Sequence, residues 1–160
     1  IHQGLSALPD SDIQAISDYF ADYAGTKLTD EPALNVTLQA AFAAQKHQPD
    51  PRIDDGARLY ASACQACHYS SGKLVKGRPL ITISSLLYLD DPTNLINVIL
   101  EGVRSDQGIR GLVMPGFRHA LSDENISSIA AYLRQTVGQK PWKELQKNVV
   151  RIRNQSQFKH

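Results

Sequence analysis

The sequence predicts an all-α fold, and three observations lead there. Apolar residues recur at helical spacing in four separate stretches, each opened by Pro, Asp or Ser. Gly25, Gly102 and Gly138 stand at or just beyond the ends of three of them, where a helix stops most easily. No run alternates apolar and polar residues as a half-buried strand does.

Taken in order, the first helix spans residues 8–24, started by Pro9 and Asp10, with Leu8, Ile13, Ile16, Tyr19 and Phe20 on one apolar side. Residues 29–55 are less regular: 34–44 can form a short Ala-rich helix, and Gln48-Pro-Asp-Pro51 reads as a linker. A second helix runs from Asp54 to Ala63, its acidic start matching the helix dipole. A loop rich in Gly, Lys and Pro follows from Tyr69 to about Thr82, then a short helix from Ser84 to Leu89. Asp91-Pro92 opens the next helix, with Leu95, Ile96, Ile99 and Leu100 inward and Gly102 near its end. Residues 105–116 form a loop, and Ser122-Asp-Glu starts a last core helix with Ile126, Ile129, Ala130 and Leu133. Tyr60 and Tyr132 are expected to pack where the first and last core helices cross, with Gly56 allowing close approach.

At 160 residues the chain holds one ordinary domain with flanking segments, or two very small ones. Its 42% apolar and 21% charged composition is that of a globular protein. No apolar run reaches the ~18 residues of a membrane-spanning helix. No signal-peptide pattern remains, and a start at Ile1 suggests a processed or truncated N-terminus. Charge is uneven: residues 1–55 carry −6, 56–137 carry +2, and 138–160 carry +5. The basic tail is either a solvated end or a dock for an acidic partner or anionic lipid. Trp142, Leu145, Val149 and Ile152 recur in it at helical spacing, suited to a membrane surface, another subunit or the chain's own domain. Nucleic acid is not an expected partner, because no basic stripe with interleaved aromatics is present.

One internal repeat is visible. Residues 7–20 (ALPDSDIQAISDYF) align without gaps to residues 120–133 (ALSDENISSIAAYL), agreeing at six of fourteen places. Either two capped amphipathic helices share a pattern, or residues 1–25 are the terminal helix of a preceding copy of the same domain.

Chemistry concentrates in Cys64-Gln-Ala-Cys67-His68, which uses both cysteines of the chain. Two cysteines three positions apart present both sulfurs to one porphyrin edge, and the adjacent histidine falls under the iron. C-x-x-C-H is thus a c-type haem attachment motif. A thioredoxin-like pair would need a βαβ setting, which is missing here. A zinc site would need four good ligands, and no second cysteine pair is available. A disulfide closing so small a loop stabilises little.

The sixth iron ligand is expected to be Met114, the single methionine, set in a Gly- and Pro-rich loop rather than on a helix face. Its rivals are His119, then His47 and His2. Pro79 is either a turn proline or the residue whose carbonyl accepts from the Nδ1–H of His68. Arg78, Arg104 and Arg110 are candidates to neutralise the haem propionates.

These residues resemble class I c-type cytochromes. The matching pieces are Gly56-Ala-Arg-Leu-Tyr60, Cys64-Gln-Ala-Cys-His68, Pro79-Leu80, Asn97-Val-Ile-Leu-Glu-Gly102, Met114-Pro-Gly-Phe117 and Leu121-Ser-Asp-Glu through Ala131-Tyr-Leu133. More narrowly, the last three look like the final domain of the multihaem cytochrome subunits of bacterial membrane-bound dehydrogenases. Those subunits serve alcohol and gluconate dehydrogenases and some molybdenum hydroxylases.

The resemblance implies a class I cytochrome c fold around one covalent haem c, with an extra N-terminal helical segment and the basic C-terminal tail. Residues 1–51 would be the end of a preceding cytochrome domain plus linker, 52–137 the cytochrome domain, and 138–160 the tail. Only one haem motif is present, and the first repeat lacks ligands of its own.

The expected function is single-electron transfer, not enzymatic turnover. A dehydrogenase catalytic subunit or another haem domain would be the donor; quinone, a cytochrome or an oxidase would accept. The expected location is the periplasm, at the inner-membrane face. The alternatives are a free monohaem carrier and, further off, a haem peroxidase or gas sensor with an open sixth site.

Overall fold

The computed structural model describes residues 8–23, 36, 38–43, 54–68, 79–104 and 113–156. Expectations for the linker at 48–51 and the loops at 69–78 and 105–112 lie outside the described residues. Six helices have both ends described: α1 Asp10–Tyr23, α2 Asp55–Ala63, α3 Gln65–His68, α4 Thr93–Glu101, α5 Asp123–Thr136 and α6 Leu145–Ser156. The chain divides into two compact units, residues 1–38 and 39–160.

In the first unit, α1 begins where the Pro9 carbonyl accepts from the amides of Asp12 and Ile13. Asp10 and Asp12 lie in its first turn, where the dipole favours them. None of its residues is buried. Tyr19 and Phe20 meet edge to face at 5.5 Å and Tyr23 stacks on Tyr19 at 6.4 Å, yet all three rings remain largely exposed.

The second unit is organised by the crossing of α2 and α5. Asp54 caps α2, its carboxylate accepting from the Ala57 amide at 2.7 Å. Ser122 caps α5 in the same way, accepting from the Asn125 amide at 3.2 Å. The helices touch at Gly56, where a Cβ would collide with the Ser128 carbonyl and lie 2.7 Å from Tyr132 Cβ. One turn further on, the rings of Tyr60 and Tyr132 pack at 5.3 Å.

Asp91 Oδ1 accepts from the Thr93 amide at 2.8 Å at the start of α4. Pro92 takes the cap position itself, one residue before the first turn that the sequence suggested. All four predicted inward residues of α4 are buried. Two 3₁₀ turns, Ile81–Ile83 and Ser85–Leu87, replace the short helix expected at 84–89, because Ser84 between them is extended. Thr82 is buried there, and its hydroxyl donates to the Ala41 carbonyl at 3.1 Å, tying helical residues 39–43 to this unit.

The region set apart as a basic tail closes the core. Trp142, Val149 and Ile152 are buried in the same cluster as Ile96, Leu100, Ile126 and Ile129, and Leu145 packs against it. The apolar side of α6 is therefore occupied by the chain's own domain, the third of the three settings its spacing allows. Each such side chain contributes roughly 1.5–3 kcal/mol on leaving water.

Arg134 fastens the junction from within. Its guanidinium is buried, donates to the carbonyls of Leu87, Leu89 and Lys140, and lies 4.5 Å from the Trp142 ring centre. The Trp142 indole donates to the same Leu89 carbonyl at 2.9 Å.

Candidate functional site

The cysteine motif sits where α2 ends. The Cys64 amide still donates to Tyr60 at 2.9 Å, but its backbone leaves the helical region at φ −121. The chain then turns back, and the Cys64 carbonyl accepts from both the Cys67 amide at 3.1 Å and the His68 amide at 3.0 Å. One carbonyl thereby organises the turn that carries Cys64, Cys67 and His68. Cys64 is half-buried and Cys67 exposed. Burial first, and the neighbouring Cys67 second, push the Cys64 thiol up to about 11.

His68 is oriented from across the chain. Its Nδ1 lies 3.3 Å from the Pro79 carbonyl oxygen. A carbonyl can only accept, so Nδ1 donates in this bond, and in the neutral imidazole this leaves Nε2 to present its lone pair.

Met114 is placed by the end of α4. Its amide and carbonyl exchange 3.0 Å hydrogen bonds with those of Val103, forming an isolated antiparallel bridge. The Phe117 amide donates to Ile99 at 2.9 Å and the Arg118 amide to Leu100 at 3.1 Å. Carbonyls that the helix end would leave unpaired are satisfied by the loop itself. Gly102 makes this possible: its φ is +75, and a Cβ there would run into the Met114 carbonyl.

The structure thus brings Cys64, Cys67, His68 and Pro79 together at one turn, and holds half-buried Met114 on a loop fastened to α4. His119 and Arg104 are exposed. Arg78, Arg110, His2 and His47 lie outside the described residues. Sequence reasoning placed Gly102 only as a helix stop, because its spacing from Met114 did not reveal their contact. It also passed over Arg118, whose side chain pairs with Glu101 at the end of α4.

The donor set suits a covalently attached haem: two thiols on one turn able to form thioethers, an imidazole with one nitrogen committed and the other available, and a thioether sulfur on a fixed loop. Among the described residues, no three His, Cys, Asp or Glu side chains converge as a metal cluster would require.

Fold and donor chemistry together define a c-type cytochrome domain, the class that carries haem c. The chain belongs to the family described as "Cytochrome C oxidase, cbb3-type, subunit III", which matches residues 51–133. It is 33% identical over 93% of its length to one of the subunits of nicotinate dehydrogenase from Pseudomonas putida, covering 12% of that protein. It is 28% identical over 86% of its length to the fructose dehydrogenase cytochrome subunit of Gluconobacter japonicus, covering 32% of it. Cytochrome c6 of Picosynechococcus is 28% identical over 54% of this chain and 75% of its own length. The chain therefore spans less than a third of the two dehydrogenase subunits. Among the described residues, no helix is long and apolar enough to cross a membrane.

Proposed function

We propose that the chain relays single electrons through a haem c held by Cys64 and Cys67 and ligated by His68 and Met114, as part of a dehydrogenase complex. The observation that carries this reading is the turn of Cys64, Cys67 and His68, with the imidazole oriented by the Pro79 carbonyl. When bound, the haem supplies a one-electron ferric/ferrous couple.

The chain's own residues account for the rest. Cys64 and Cys67 would hold the haem through two thioethers. Pro79 fixes the tautomer of His68 and raises its basicity. Met114 offers a soft ligand that favours the reduced state, on a loop whose backbone bonds to α4 oppose rearrangement between redox states. Arg78 is assigned to a propionate.

The donor in this reading is a dehydrogenase catalytic subunit or a neighbouring haem domain, and the acceptor a quinone, a cytochrome or an oxidase, on the periplasmic side. The names of the fructose and nicotinate dehydrogenase relatives support it. So does the repeat, because α1 and α5 are each 14 residues long and begin at aligned positions, Asp10 and Asp123. On this basis residues 1–51 are the end of a preceding domain and a linker, 52–137 the haem domain, and 138–160 its C-terminal closure. A second reading, a free monohaem carrier, is favoured by the match to most of the length of a cytochrome c6.

The test is chemical. Denatured, acid-acetone-extracted protein should keep its colour and give one haem per Cys64–Cys67 pair. Colourless protein with two titratable thiols would end the reading.

A further inference from the structure

We infer that α6 is a clamp on the Met114 loop, and that Arg153 acts through Arg118 as a positioning residue for that methionine. The inference rests on Met114 being the sixth ligand.

Arg118 stands four residues after Met114, where the loop leaves α4. Its Nε donates to Glu101 Oε1 at 3.0 Å, binding the loop to the last residue of α4. Its other arm donates to the Arg153 carbonyl on α6 at 2.9 Å. Arg153 answers in kind. One of its guanidinium nitrogens donates to the Arg118 carbonyl, a second to the Leu121 carbonyl at 2.9 Å, and its Nε to Asp123 Oδ1 at 2.5 Å. Each arginine therefore holds the other's backbone. The loop exit at 118–121 is tied to α4, α5 and α6 at once. Both side chains are largely sequestered, at 13% and 16% exposure, so water substitutes poorly for these bonds.

The clamp has a fixed base. Val149 and Ile152, beside Arg153 on α6, are buried in the core at 0% and 2% exposure. An arginine on a mobile tail would follow the loop when it moved; one on a packed helix resists. Opening the loop far enough to withdraw Met114 must break the bonds to α4 and also strain the arginine pair.

The experiment uses the haem-loaded full chain and measures binding of imidazole to the ferric form, a ligand that enters only when the methionine leaves. Arg153→Met should tighten apparent imidazole binding about tenfold, the factor that ~1.4 kcal/mol of lost loop closure represents. Arg153→Lys, which keeps the charge but cannot span three acceptors, should fall between. Val149→Ala loosens the base on which Arg153 stands and should raise binding in the same direction, whereas Lys147→Ala, exposed on the same helix, should change it by less than about twofold. Unchanged binding in Arg153→Met, or an equal rise in Lys147→Ala, overturns the clamp while leaving Met114 as ligand. A wild-type protein without the sulfur-to-iron absorption band overturns both.

Discussion

The α-carbon of Gly102 lies against the Met114 carbonyl so closely that a methyl group has no room there. The backbone at Gly102 is also one that side-chain-bearing residues avoid, with φ 75 and ψ −169. Gly102→Ala therefore carries two penalties, roughly 1–3 kcal/mol for the conformation and a similar amount for the overlap. Relief is available only by moving the Met114 loop. We expect a lower melting temperature together with a weakened sulfur-to-iron band. An alanine variant with both signals intact would show that the contact is slack.

Exchange of the proposed sixth ligand should separate attachment from tuning. Met114→His leaves the proposed attachment at Cys64 and Cys67 untouched, so the haem should stay bound through denaturation. The potential should fall, on the order of 0.1–0.3 V within the ~0.8 V that axial ligands span, because imidazole stabilises the ferric state more than thioether does. Redox titration of the two proteins decides it. Equal potentials would mean that Met114 does not reach the iron.

How far the sequence revealed this architecture depends on the distance over which each signal acts. Asp54, Ser122 and the inward faces of α4 and α5 were legible because caps and helical periodicity are local. The Tyr60–Tyr132 packing and the close approach at Gly56 were also anticipated, from paired motifs on two helices. The fate of residues 138–160 was not legible. An amphipathic helix shows which side is apolar, but not what covers it, so Val149 and Ile152 fitted a membrane, a subunit or the domain equally well. The arginine pair was hidden for a related reason: Arg118 and Arg153 are 35 residues apart and bond mainly to backbone carbonyls, which leave no trace in side-chain identity.

Because α6 completes the core, its removal should cost far more than loss of a solvated tail. Ending the chain after Lys140 uncovers the surface now buried by Trp142, Val149 and Ile152, and leaves Arg134 without its aromatic neighbour. At roughly 2 kcal/mol for each of three side chains, the loss is about 6 kcal/mol. That is comparable with the whole stability of many domains, about 5–15 kcal/mol. The shortened chain should melt early and with a broad transition. Urea unfolding with an unchanged midpoint would return α6 to the status of an appendage.

Alkaline pH should loosen the α2–α5 crossing. The Tyr132 hydroxyl is pushed up to about 12, by burial first and by the Asp54 carboxylate second. Tyr60 is raised further still, again chiefly by burial. In the unfolded chain both phenols ionise near pH 10. Between about pH 10 and 12 the unfolded state therefore binds fewer protons than the folded one, and stability falls as pH rises. This contribution is fully present below pH ~10 and is lost as pH passes through the folded value near 12. Tyr132→Phe keeps the ring packing against Tyr60 at the crossing but removes one of the two titrating groups. Its urea midpoint should decline less steeply than that of the wild type over this window, with the two curves parallel near neutral pH. Parallel decline throughout would place the alkaline sensitivity elsewhere, in the lysines or in the haem ligation.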